Sequence, residues 1–378
     1  MIYLDNGATT YPKPRSVINA VNNAFVNGAN PGRGGHNLAM RASELMYSAR
    51  STAAEFFGCD DPSRVIFTLN CTTALNTVIK GVLKEGDHVV ISSYEHNAVL
   101  RPLEKLKERD ISYTVARVAD GDDEQTLMNF RSAIQSNTKL LVCTHASNVF
   151  GVRLPVERLC ALFREYGILT CVDSAQTAGI VPIDLKGSAI NYLCFAGHKG
   201  LYGPMGTGGF VINCGRIPDS LTEGGTGSNS EQSAQPPILP DKFESGTPNL
   251  AGIAGLKSGI DFVNSNGIDK TGEREMQLIR NAYKALEKFP HVKLYTELPD
   301  SEKNVPVLSF NIDGRDSEEV SEILNKRYNI AVRAGLHCAM LAHKSKNTLN
   351  TGTVRIVPSV FSTENDIMRL CSAVYNIK

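Results

Sequence analysis

Short, uniformly apolar runs alternate with longer amphipathic stretches through the first two thirds of the sequence. "RVIFTL" (64–69) leads into "TTALNTVIKGVLKEG", "DHVVISS" (87–93) into "NAVLRPLEKLKERD", and "KLLVCTHAS" (139–147) into "PVERLCALFREYG". Because the short runs are apolar throughout, they fit strands that are covered on both faces. The alternation therefore predicts an α/β domain built on a mostly parallel sheet.

The pattern changes after residue 248. Residues 249–265 and 273–289 have the spacing of long helices, and "VPVLSFNI" (305–312) then begins a shorter series of strands and helices that ends at residue 378. This order predicts a second, smaller α+β domain.

Composition and charge exclude several classes of protein. Lys plus Arg equals Asp plus Glu at 39 each, with both signs scattered, which argues against a nucleic-acid-binding surface. No uncharged apolar run approaches the ~20 residues of a membrane span, and the first residues lack the features of a signal peptide. The nine cysteines form no CxxC pair and several lie in apolar runs, so we expect no metal site and a reducing, cytoplasmic location.

A lysine in a glycine-rich segment is the first candidate for chemistry. Lys199 follows the predicted strand "NYLCFAG" within "FAGHKGLYGPMGTGGF" (195–210). Ligands of α/β sheets bind where strands end, and a lysine that attacks an aldehyde needs close backbone and partial desolvation. The alternative is an exposed loop lysine.

Asp173 ends the apolar run "ILTCVD", where a carboxylate needs a cationic partner. The protonated ring nitrogen of pyridoxal 5'-phosphate (PLP) is such a partner, and PLP also takes a lysine on its aldehyde. Thr72 and Thr73 lie between a strand and a helix, where backbone N–H groups favour a phosphate. The alternative for Asp173 is that it caps the next helix, and threonine capping of a helix would look identical in sequence.

Four further residues occupy positions suited to chemistry. His96 and Asn148 follow predicted strands, and an imidazole there can stack on a cofactor or serve as a structural histidine. Cys338 follows a glycine turn beside His337, at the predicted start of a helix, and both neighbours favour the reactive thiolate. Arg355 lies in the apolar strand "GTVRIVPS", suited either to a substrate carboxylate or to a structural ion pair.

In this order the motifs resemble those of the cysteine desulfurases, within the class V aminotransferase group of PLP enzymes. The resemblance runs nearly end to end, with the motifs "YLDNGATTYPKP", "NPGRGGHN", "EHNA", "SNVFG", "VDSAQTAG", "GHKGLYGPMGTGG", "ESGTPN" and "RAGLHCA". It implies the PLP-dependent transferase fold type I, with a seven-stranded sheet. We place a large domain at 16–258 and a small α+β domain at 1–15 and 259–378.

The resemblance also implies a role for each candidate. Lys199 binds the cofactor aldehyde and moves protons at the substrate Cα, while Cys338 takes the sulfur. Asn148 and Arg355 hold the substrate carboxylate. The other cofactor contacts come from Asp173 at the ring nitrogen, Gln176 at the ring hydroxyl, His96 on the ring face, and Thr72, Thr73, His198 and Thr247 at phosphates, Thr247 at that of a neighbouring subunit.

The implied activity converts L-cysteine to L-alanine and passes sulfur through Cys338 to an acceptor protein or thiol, for iron–sulfur cluster or other thio-cofactor synthesis, in a homodimer. "RAGLHCA" is nearest the Suf-type and selenocysteine lyase-like branch, so L-selenocysteine is a second candidate substrate. Two departures stand out: Ala196, where the family commonly has serine or threonine, and Cys71, where glycine or alanine is usual. A selenocysteine or C–S lyase, a class V aminotransferase and a non-catalytic scaffold stay open as alternatives.

Overall fold

The computed structural model of the protein describes residues 1–32, 34–228 and 231–377. Residues 33, 229, 230 and 378 lie outside the described residues, and so do the corresponding parts of "NPGRGGHN" and of the predicted large and small domains. The strands are β1 (Ile2–Tyr3), β2 (Val65–Thr68), β3 (His88–Ser92), β4 (Ser112–Ala116), β5 (Thr138–Thr144), β6 (Leu169–Asp173), β7 (Tyr192–Ala196), β8 (Gly208–Ile212), β9 (Val292–Leu294), β10 (Leu308–Ile312), β11 (Ile330–Ala331) and β12 (Val354–Ile356).

Helices occupy most of the connections between these strands. They are α1 (Arg15–Asn27), α2 (Asn37–Phe56), α3 (Cys71–Val82), α4 (Asn97–Leu106), α5 (Asp123–Ser132), α6 (Val156–Glu165), α7 (Leu250–Asn266), α8 (Ile268–Leu286), α9 (Ser317–Tyr328), α10 (Met340–Ser345) and α11 (Glu364–Asn376), with short 3-10 helices at Pro62–Arg64 and Lys107–Arg109. Within the described residues, no helix is long and apolar enough to cross a membrane.

Seven strands form the central sheet in the order β2-β8-β7-β6-β5-β3-β4. Strand β8 is antiparallel to both of its neighbours, and the other adjacent pairs are parallel. The predicted α/β architecture with a mostly parallel, seven-stranded sheet is therefore confirmed.

The sheet is covered on both faces, as its uniformly apolar strands predict. In β5, Leu141 and Cys143 belong to one buried cluster, whereas Leu140 and Val142 belong to another. Successive side chains of a strand point to opposite faces, so each strand supplies both cores. Packing on both faces holds the strands in place, and with them the strand ends, where the candidate residues lie.

A separate core between the chain termini is formed by residues at the start of the chain and by residues of 278–377. The sheet β12-β10-β9 is antiparallel, and the pair β1-β11 is parallel. Residues of α8, α9 and α11 pack on them in one cluster that includes Ile279, Leu324, Phe310 and Leu370. The predicted boundary between residues 258 and 259 lies inside α7, whose buried side chains, Ile260 among them, belong to the core of the large sheet.

Candidate active site

A cavity of about 210 Å³ opens at the carboxyl ends of the parallel strands. Eight of the predicted site residues line it: Thr72, His96, Asn148, Asp173, Gln176, His198, Lys199 and Arg355. Ends of parallel strands meet at the same edge of a sheet, which is why residues from β3, β5, β6 and β7 converge here. The geometry thus brings together most of the set predicted from the sequence.

Lys199 lies in the turn that follows β7 and is only partly exposed. Its Nζ makes no hydrogen bond or ion pair with any residue in the described part of the chain. Burial lowers the pKa of this amine, and the nearby charge of Asp173 partly opposes that shift. A lysine with a lowered pKa has more of the free amine that attacks an aldehyde.

Glycines allow the lysine turn to lie directly against the neighbouring chain. A Cβ on Gly200 would lie 2.5 Å from the carbonyl oxygen of Ala178. Gly179 has φ +86°, and a Cβ there would lie 2.2 Å from the Gly200 carbonyl oxygen. The two turns thus lie too close together for side chains at these positions, and the turn of Lys199 packs directly on the turn that follows Asp173.

Asp173 is buried at the end of β6. Its Oδ1 accepts hydrogen bonds from the Ala175 N–H at 2.9 Å and from the Cys71 thiol at 3.4 Å. Its Oδ2 accepts none from the residues that the structure describes. The residues after β6 form turns and not a helix, so the alternative that Asp173 caps the next helix is wrong.

Helix α3 points its N-terminus at the cavity. Asn70 caps the helix, accepting at Oδ1 from the Thr73 N–H at 2.9 Å and from the Thr73 hydroxyl at 3.1 Å. Thr73 therefore serves the cap and does not line the cavity, whereas exposed Thr72 does. The first N–H groups of a helix have no intrahelical partner, so this end favours an anion.

Two histidines line the cavity in their neutral form. His96 caps α4 by accepting from the Ala98 N–H at 3.0 Å, and burial lowers its pKa to about 4. Burial also lowers the pKa of His198 to about 4, aided by Lys199 and Lys13. Nδ1 of His198 is buried and makes no hydrogen bond with the described residues.

Arg355 already has an internal partner. It is 1% exposed, and its guanidinium donates to Asp5 Oδ1 and to the Asn148 backbone oxygen, both at 2.8 Å. Burial lowers its pKa, and Asp5 opposes the shift. Nε is buried without a partner among the described residues, so Arg355 combines the expected ion pair with a donor left over beside the cavity.

Cys338 is exposed on a strained segment at the rim. His337 and Cys338 have φ of +49° and +58°, which L-residues rarely adopt. The carbonyl oxygen of His337 accepts from Asn148 Nδ2 at 2.8 Å, and that of Cys338 accepts from the Asn97 N–H at 2.7 Å. Two bonds, one from the start of α4 and one from the turn after β5, thus hold the backbone of His337 and Cys338.

The predicted surroundings of Cys338 are wrong in two respects. The helix α10 begins only at Met340 and has six residues, so Cys338 is not at a helix N-terminus. The His337 ring contacts the Thr353 backbone oxygen at 3.0 Å, and burial lowers its pKa to about 2, so it is neutral. Instead, a guanidinium nitrogen of Arg333 donates to Cys338 Sγ at 3.6 Å.

Of the two remaining predicted residues, Gln176 lines the cavity and Thr247 does not. Gln176 lines it and donates from Nε2 to the Gly7 backbone oxygen at 3.1 Å. Thr247 is exposed and does not line the cavity. Sequence reasoning missed eight lining residues: Gly7, Ala8, Asn70, Leu75, Ala98, Thr144, Ala175 and Arg333. The motif "YLDNGATT" and the arginine of "VRAGLHC" were the available signals.

The chain belongs to the class-V aminotransferase family, whose sequence model matches residues 2–370. It is 32% identical over 376 residues to a probable cysteine desulfurase of Methanothermobacter thermautotrophicus, covering 98% of this chain and 92% of that protein. The apo structure of a cysteine desulfurase from Thermococcus onnurineus NA1 superposes with a TM-score of 0.91 at 29% identity, covering 100% of this chain and 94% of the other. A cysteine desulfurase structure from Escherichia coli has a TM-score of 0.85 at 25% identity, covering 98% and 93%. The predicted family and the fold type I architecture are confirmed.

Enzymes of this family use PLP, and the donor set of the cavity fits that cofactor. Lys199 Nζ and Asp173 Oδ2 are both without partners in the described chain, which suits an aldehyde and a protonated ring nitrogen. The α3 N-terminus and the orphaned Nδ1 of His198 suit a phosphate. Ala196, 2% exposed in the cavity wall, supplies no hydroxyl there.

Proposed function

We propose that this protein is a PLP-dependent cysteine desulfurase that converts L-cysteine to L-alanine and takes the sulfur on Cys338 as a persulfide. The single observation that carries the proposal is the pairing of a cofactor-type cavity with an exposed thiol held at its rim. The Asn148 side chain lines the cavity and also holds the backbone beside Cys338. The relatives named cysteine desulfurases support the same reaction.

The cofactor-holding residues would be Lys199 at the aldehyde, Asp173 at the ring nitrogen, and His96 on the ring face. Gln176 would hold the ring hydroxyl, and the phosphate contacts would come from His198, from Thr72 and, from a neighbouring subunit, from Thr247, whereas Thr73 serves the α3 cap. When bound, PLP supplies an electron sink for negative charge at the substrate Cα.

Two side chains orient the substrate. Arg355 keeps donors beside the cavity after pairing with Asp5, and we assign them, together with Asn148, to the carboxylate of L-cysteine. A fixed carboxylate places the Cα near the amine of Lys199, which removes and returns the proton there. The lowered pKa of Lys199 suits this task, because the free amine is the base.

Cys338 performs the sulfur transfer. Its thiolate attacks the Sγ atom of the substrate, the substrate Cβ–Sγ bond breaks, and an Sγ–Sγ bond forms on the enzyme. The substrate carbon skeleton leaves as alanine after taking a proton, so one cysteine and one thiol give one alanine and one persulfide. A guanidinium nitrogen of Arg333 donates to Cys338 Sγ at 3.6 Å and so helps to hold the sulfur that attacks.

The oligomeric state and the destination of sulfur are part of the same proposal. Leu69 and Met205 are 64% and 72% exposed, directly before the α3 cap and in the loop after Lys199, and these exposed apolar side chains support a homodimer that covers them. The free state of all nine cysteines supports a reducing cytoplasm as the location of the protein.

We propose that sulfur is delivered from exposed Cys338 to an acceptor protein or thiol, for iron–sulfur or other thio-cofactor synthesis. We also propose a small domain at 1–15 and 259–378, which continues from the large domain within helix α7.

The test incubates the PLP-loaded protein with L-cysteine and a reductant and quantifies alanine and sulfide. Equimolar products from the wild type and from the matched control Cys59→Ala are expected, with none from Lys199→Ala or Cys338→Ala. Mass spectrometry without reductant should find one added sulfur atom on Cys338. Sulfur release that survives in Cys338→Ala would favour a lyase instead, and a parallel reaction with L-selenocysteine would then identify its substrate.

A further inference from the structure

Cys71 places a thiol beside the buried carboxylate of the site. It is the first residue of α3, it is 7% exposed, and it lines the cavity with Asp173 and Lys199. Its Sγ lies 3.4 Å from Asp173 Oδ1, although the two residues are 102 positions apart in the chain. The helix that presents its N-terminus to the cavity therefore also touches the end of β6.

The thiol is a hydrogen-bond donor in this position. Burial raises the pKa of Cys71 well above its usual value, and the negative charge of Asp173 raises it further. The proton therefore stays on sulfur near neutral pH, where a carboxylate oxygen is its acceptor. The same shift makes Cys71 a poor nucleophile, so it does not duplicate Cys338.

The two oxygens of Asp173 are consequently unequal. Oδ1 accepts from both the Ala175 N–H and the Cys71 thiol, whereas Oδ2 accepts from nothing in the described chain. The two donors come from different elements, the turn after β6 and the start of α3. A carboxylate held from two sides at one oxygen cannot rotate without losing both bonds.

We propose that Cys71 is a positioning residue for Asp173. Together with the Ala175 N–H it donates to Oδ1 and fixes the orientation of the carboxylate, so that Oδ2 is the oxygen presented to the cofactor's ring nitrogen. This inference rests on the proposed PLP-dependent function. It assigns Cys71 an effect on cofactor affinity and on the protonation of the ring, and no direct part in sulfur transfer.

The test compares Cys71→Ala, Cys71→Ser and the control Cys371→Ala in the full-length protein. Cys371 is also 7% exposed but lies in α11, in the separate core between the chain termini. The affinity for PLP is measured by titrating the apoprotein, and the visible absorbance of the bound cofactor is followed against pH. Urea unfolding of each apoprotein reports whether the substitution affects folding.

Loss of one weak hydrogen bond should weaken PLP binding about three- to tenfold in Cys71→Ala. The pH midpoint of the absorbance change should also rise in Cys71→Ala. The positive charge on the ring nitrogen is less stabilised there, so the ring withdraws less electron density. Cys71→Ser keeps a donor and should restore both values, and Cys371→Ala should match the wild type in both.

Three outcomes would overturn the inference, and they are distinguishable. Wild-type affinity and midpoint in Cys71→Ala, with PLP bound normally by the wild type, would refute the role of Cys71 alone. A wild-type protein that binds no PLP would overturn the proposed function and this inference with it. A Cys71→Ser variant as weak as Cys71→Ala would also contradict positioning through a hydrogen bond.

Discussion

The buried ion pair between Arg50 and Glu244 gives the sharpest prediction about stability. Glu244 Oε1 accepts from Arg50 at 2.8 Å and from the Phe67 N–H at 2.7 Å, and Oε2 accepts from Arg50 at 2.7 Å. The two side chains are 8% and 14% exposed. The pair thereby fastens the chain three residues before Thr247 to the edge strand β2.

In Glu244→Gln the amide nitrogen must face the guanidinium, which leaves a buried charge without its counter-ion. Removing one partner of a buried pair costs about 3–5 kcal/mol, and we take about 3 kcal/mol because the amide oxygen keeps part of the network. With a urea m value of roughly 3 kcal/mol/M, the unfolding midpoint should fall by about 1 M. Urea unfolding followed by far-UV circular dichroism measures this change.

The matched control is Asp261→Asn, which neutralises the exposed pair between Lys257 and Asp261, with side chains 27% and 52% exposed. Such surface pairs contribute roughly 0.3–0.5 kcal/mol, so its midpoint should stay close to that of the wild type. If Glu244→Gln unfolds at the same urea concentration as Asp261→Asn, the reasoning from burial is refuted.

Three further predictions concern the site and its support. Asp5→Asn removes the charge that offsets buried Arg355, so the urea midpoint should fall; an unchanged midpoint would show that the pair is not stabilising. Burial raises the pKa of Glu95 from 4.5 to about 8, so the folded state holds a proton that the unfolded state loses between those values, and stability should decline as pH rises from about 5 to 8. Glu95→Gln should flatten that decline in unfolding titrations, and an equal slope in both proteins would contradict the assignment. Gly179→Ala, with φ +86° and a clash against Gly200, should lose several °C in thermal unfolding and bind PLP more weakly, and a wild-type melting temperature would disprove the close approach.

The strand-end residues could be predicted from the sequence because each has a local signal. Asp173 and Lys199 directly follow apolar runs, and Asn148 and His96 come a few residues after two others. Parallel strands bring their carboxyl ends to one edge, so local patterns suffice to place these four residues together.

Other parts of the site depend on contacts that no local pattern contains. Asp5 meets Arg355 across 350 positions, and the residues of β1 pair with those of β11. The segment around Cys338 resembles a helix start in sequence, but bonds from Asn97 and Asn148 hold its backbone in left-handed conformations and delay the helix to Met340.

The pairing of the chain's two ends has a consequence for its synthesis. The ribosome releases Ile2–Tyr3 first, yet their partners Ile330–Ala331 emerge only near the end. The seven-stranded sheet, by contrast, is complete once Ile212 has been added, and domains can fold as the chain emerges. The growing chain can therefore form the part of the cavity that contains Lys199 and Asp173 before Cys338 has been synthesised. Cys338, the proposed sulfur acceptor, is added more than 100 residues after the last strand of that sheet.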